Sequence, residues 1–155
     1  MYPRFDATTL RRLLLAALVV APAAGAETLA QRDYWEGQMQ YTQRKLDELR
    51  ERCNVEIEFA YDRDAWWAQR DEVAARGASP NGRCEDALNA ILNVCWDDAE
   101  GSRRVRESIR RVECGLGGFD RGFRAALDGG TLRYDVEIER SNPLEALTAF
   151  LKDKL

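Results

Sequence analysis

The sequence contains no histidine. That removes Ser-His-Asp and Cys-His catalysis and every histidine-based metal site. Serine is scarce too: Ser79, Ser102, Ser108 and Ser141 are the only ones, and none lies in a G-x-S-x-G elbow. No G-x-G-x-x-G or phosphate-binding loop occurs, and "GLGG" at 115–118 is too short to count as one. No cofactor fingerprint remains, so no cofactor is expected. Beyond residue 26 no apolar run is long enough to span a bilayer.

What is present begins with an address. Arg4, Arg11 and Arg12 precede an unbroken apolar run, Leu13 to Ala21, and Ala24-Gly25-Ala26 is a small-x-small cleavage site. This pattern predicts a signal peptide over 1–26 and a single domain over 27–155, working in the periplasm or outside the cell. The net charge is −4 for the whole chain; without the three arginines and Asp6 of the leader it is −6. An acidic domain is a poor generic binder of nucleic acid or anionic lipid, so the expected partner is another protein.

All four cysteines, Cys53, Cys84, Cys95 and Cys114, lie in the predicted domain. An even count in an exported chain favours two disulfides. A metal site is not expected, because the spacings of 31, 11 and 19 offer no tight ligand pair. Cys84 and Cys95 bracket an amphipathic helical stretch and would stand roughly 16 Å apart along it, beyond the roughly 7 Å a disulfide allows. Two pairings survive. One is Cys53–Cys84 with Cys95–Cys114. The other is Cys53–Cys95 with Cys84–Cys114, which is favoured if the basic segment after residue 102 runs back antiparallel.

Periodicity predicts the elements. Trp35, Met39, Thr42, Leu46, Leu49 and Cys53 form one stripe of a long helix over 28–52, ended by Asn54. Val55, Ile57, Phe59 and Tyr61 alternate as in a strand. Asp62 or Asp64 then caps a helix through Ala75, and "GASPNG" reads as a turn. Next come the Cys84–Trp96 helix and a short basic helix capped by Ser102. Val112, Cys114 and Leu116 alternate as a strand. Phe123–Leu127 and Leu132–Ile138 form a hairpin about Asp128-Gly129-Gly130. A last helix is capped by Asn142, with Pro143 first and Glu145 completing a capping box. The order predicts an α+β fold: helices on one face of a small antiparallel sheet, the other face charged and wet.

Three features are candidates for function. Arg103, Arg104, Arg106, Arg110 and Arg111 make a basic cluster suited to an acidic partner or an envelope anion, although charge runs usually just face water. Trp66 and Trp67 follow Glu56, Glu58, Asp62 and Asp64, a mix that would serve a sugar cleft with paired carboxylates; the plain alternative is strand, cap and core. No catalytic residue is assigned. The leading expectation is a non-enzymatic binding protein, such as an immunity protein or inhibitor directed at an envelope-targeting protein. The alternatives are a small carbohydrate-active or carbohydrate-binding protein, and an envelope structural or assembly factor.

Overall fold

The computed structural model describes residues 27–118, 123–139 and 143–155. The predicted signal peptide and the Asn142 cap lie outside the described residues. The elements are α1 Leu29–Cys53, β1 Glu58–Tyr61, α2 Arg63–Ala68, α3 Arg70–Ala75, α4 Pro80–Asp97, α5 Ala99–Ser108, β2 Arg111–Gly118, β3 Arg124–Asp128, β4 Thr131–Glu137 and α6 Leu144–Lys154. The fold is α+β, as its sequence predicts. None of the described helices is long and apolar enough to cross a membrane.

Local chemistry accounts for the helix ends. Thr28 and Gln31 close a capping box at the start of α1, and Asn54 ends it in the left-handed region at φ 51°. Of the predicted stripe, Trp35, Thr42, Leu49 and Cys53 are buried. Asp62 caps α2 by accepting from the Ala65 amide at 3.2 Å, and a break at Gln69 divides the expected single helix into α2 and α3. Two expectations are corrected here. "GASPNG" is not all turn: Ser79 caps α4 and Pro80 takes its first position, where a missing N–H costs nothing. Asp98 rather than Ser102 caps α5, because its carboxylate reaches the Gly101 amide, while the Ser102 hydroxyl donates to the Cys53 carbonyl at 2.9 Å.

The sheet has the order β1-β2-β4-β3. The β3–β4 hairpin is antiparallel, and its two-residue turn needs positive φ twice, which Gly129 (55°) and Gly130 (86°) supply. The expectation of an antiparallel sheet fails for the other two ladders. β1 and β4 both run parallel to β2. The four helices between β1 and β2 carry the chain back to the same end, so the two strands start side by side.

The core lies between sheet and helices. Val112 and Cys114 of β2 and Leu132, Tyr134 and Val136 of β4 point into it, against Leu88 and Ile91 of α4 and Leu147 and Leu151 of α6. A disulfide joins Cys84 in the first turns of α4 to Cys114 in the middle of β2, with 5.9 Å between Cα atoms. Of the two expected disulfides this one is formed. Cys53 and Cys95 are buried free thiols that face each other within hydrogen-bonding reach.

Candidate functional site

Strand alternation sends every second residue of the sheet away from the core. The register lines these residues up in rows. Glu58, Arg111, Thr131 and Asp128 form one row; Ala60, Glu113, Arg133 and Ala126 the next; Gly115, Asp135 and Arg124 the third, with Asp62 at the end of β1 beside them. Among the described residues no helix covers this face: the side chains of Glu58 and Arg133 are 78% and 65% exposed.

The charges are interlocked. Arg111 reaches Glu113 at 2.8 Å and Glu58 at 3.2 Å; Arg133 reaches Glu113 at 3.4 Å; Arg124 reaches Asp135 at 3.2 Å. Opposite charges paired across strands fix long side chains in place, each pair contributing a few tenths of a kcal/mol, about 0.2–1. Beside this network β2 presents no side chain at Gly115. A Cβ there would lie 2.6 Å from Asp135 Oδ1 and 3.9 Å from Asp62 Cβ. The result is a concavity of about 280 Å³, with Ala60, Asp62, Gly115 and Asp135 among its walls and Arg111 and Arg133 on its margin. A glycine inside a central strand weakens it and often marks close approach of another backbone. The Cys84–Cys114 disulfide lies directly beneath, and the Cys114 carbonyl accepts from the Asp62 amide at 2.9 Å and from Trp66 Nε1 at 3.4 Å.

The arginines singled out from sequence have different surroundings. Arg111 alone belongs to the open face. Arg103 is held by Glu100 and Glu107 on its own helix. Arg104 is half-buried, with a buried Nε that has no partner among the described residues. Arg106 donates to the Cys53 carbonyl at 3.3 Å and to Ser102 Oγ at 3.0 Å. Arg110 lies along Gly130. Arg103 and Arg106, three apart on α5, lie on neighbouring positions of one helix face, whereas Arg111 belongs to the sheet.

The tryptophans also separate. Trp66 is core. Trp67 is half-buried, edge-on to Tyr34, with the Arg70 guanidinium 4.4 Å from its ring centroid. Glu56 pairs with Arg50 at 3.6 Å and Glu58 with Arg111. The Asp62 carboxylate is taken up in capping α2, so Glu58 and Asp62 are each engaged elsewhere in the fold. Asp64 and Trp67 share a separate concavity of about 240 Å³ with Glu27, Gln31, Trp35 and Arg63.

Sequence reasoning passed over Gly115, Glu113, Arg133, Asp135 and Arg124 as a group. The signal was the alternation of charged residues in the strands; which charges meet depends on strand order. No protein-family model matches this chain, and neither a curated protein nor a solved structure does.

Proposed function

We propose that this chain is an exported, non-enzymatic binding protein that engages another protein through the open face of its sheet. An inhibitor or immunity protein acting on an envelope-targeting protein is the class that fits best. The observation that carries the reading is the bare face over β2 and β4. Parallel ladders are generally covered on both sides; here helices cover one side, and the other offers a glycine notch framed by ordered, paired charges. Such a surface complements a partner of mixed charge and fixes orientation more than it supplies affinity. Export is supported by the leader-like first 26 residues and by the buried Cys84–Cys114 disulfide, a bond that persists in oxidising compartments. The test is an envelope pull-down at low and moderate salt, read by mass spectrometry, with the wild-type chain and Arg133→Glu. A stoichiometric partner that weakens with salt and is lost with Arg133→Glu is expected. A partner held equally by both chains would place the interface elsewhere.

A second reading, carbohydrate binding, is favoured only by the Trp67–Asp64 concavity. Titration with oligosaccharides, comparing wild type and Trp67→Ala, decides it: saturable binding lost in the variant supports it, and none in the wild type dismisses it.

A further inference from the structure

Cys53 and Cys95 end two helices that meet. Cys53 is the last residue of α1 and Cys95 lies in the last turn of α4; both are buried, and Cys84 and Cys114 are already bonded to each other. Each of the two thiols therefore has the other as its partner. Their chain neighbours meet above them: the Arg52 guanidinium lies 4.2 Å from the centroid of the Trp96 ring, and Trp96 is 65% exposed. We propose that Cys53 and Cys95 form a thiol–disulfide exchange site that closes into a second disulfide once the chain has folded, with Cys53 reacting first and Cys95 resolving.

The donor is a disulfide of the glutathione or protein thiol-oxidase class. The Cys53 thiol loses its proton, and its sulfur attacks one sulfur of the donor disulfide. The donor S–S bond breaks, and its leaving sulfur takes up a proton. Cys95 then loses its proton and attacks the Cys53 sulfur of the mixed disulfide, expelling the second donor sulfur as a thiol. Two protons and two electrons pass from the cysteine pair to the donor, which ends as two thiols.

Position and charge set the order. Burial pushes both thiols up; at Cys53 the contact with Cys95 and the guanidinium groups of Arg52 and Arg106 oppose it, and the Glu48 carboxylate adds to it. At Cys95 burial acts in the same direction, and of the nearby guanidinium groups Arg106 alone opposes it. The thiolate is the attacking species, so the less hindered ionisation belongs to Cys53. Cys53, 1% exposed against 9% for Cys95, ends its helix beside the left-handed Asn54, where helices fray, whereas Cys95 follows the buried run Ala90, Ile91, Leu92 and Val94.

Peptide mapping of the full chain, isolated from an oxidising compartment and alkylated on unfolding without reduction, tests the bond. Linked Cys53–Cys95 peptides are expected beside Cys84–Cys114; alkylation of both Cys53 and Cys95 would overturn the proposal. The order is tested in Cys95→Ser and Cys53→Ser chains exposed to oxidised glutathione. Cys95→Ser should trap glutathione on Cys53 several-fold faster than Cys53→Ser traps it on Cys95. Equal or reversed rates would overturn the assignment of roles.

Discussion

Two tyrosines that flank Cys114 from the strands on either side of β2 carry opposite predictions. The Tyr61 hydroxyl is buried against the Thr42 hydroxyl, which in turn donates to the Gln38 carbonyl at 3.3 Å. Tyr61→Phe removes a satisfied buried hydrogen bond and should lower stability by about 1 kcal/mol in urea unfolding. The Tyr134 hydroxyl is also buried but has no partner among the described residues. Tyr134→Phe removes an unsatisfied group and should be neutral or stabilising by up to about 1 kcal/mol. The same burial acts on titration. Tyr61 is pushed up to about 12 from a usual value near 10. Above pH 10 the unfolded chain loses its phenolic proton while the fold retains it, so the unfolded state binds fewer protons and stability falls. This contribution is complete below pH 10 and is lost as pH rises through about 12; Tyr61→Phe should flatten that part of the stability–pH curve. In the sequence Tyr61 and Tyr134 look alike, each an inward position of an alternating strand. Which hydroxyl finds a partner depends on what the helices place opposite, and spacing does not encode that.

The elements most legible in the sequence are those set by neighbours along the chain. The Asp128-Gly129-Gly130 turn and the α1 stripe need only local geometry, and both stand where periodicity puts them. The parallel pairing of β2 with β1 and β4 joins residues about fifty and twenty apart and leaves no local mark. The break between α4 and α5 was legible, but the packing of its elbow was not. There Asp98 caps α5 and buried Gly101 lies so close to α4 that a Cβ would overlap the Val94 carbonyl oxygen. Because that neighbour is backbone, it cannot swing aside, and Gly101→Ala should destabilise by about 1–3 kcal/mol in thermal unfolding. The Cys84–Cys114 bond ties α4 to the strand under the open face across a separation of 30 residues. Replacing both cysteines with alanine should cost about 2–4 kcal/mol, read as a fall in the denaturation midpoint.

Among the described residues, helices form one layer and the sheet the other, and none of them covers the outward side of the sheet. The wet, charged face was legible from Arg133, Asp135 and the other alternating charges; the site on it was not, because Glu113 and Arg133 become neighbours only through strand order. The basic cluster shows the converse. It is contiguous in sequence, but Arg103 is paired with exposed carboxylates of its own helix and lies off the open face, so Arg103→Ala should leave both partner binding and stability within about 0.5 kcal/mol of wild type. The central claim is that a partner protein covers the open face. Ala126 and Ala60 lie on that face, and Gln40 is exposed on α1. A photo-crosslinking residue at each of the three positions, in the full chain expressed in its native host, tests the claim most directly. The account predicts one common protein adduct from positions 126 and 60 and none from position 40. An adduct from position 40 alone, the same adduct from all three, or none from the sheet would contradict it.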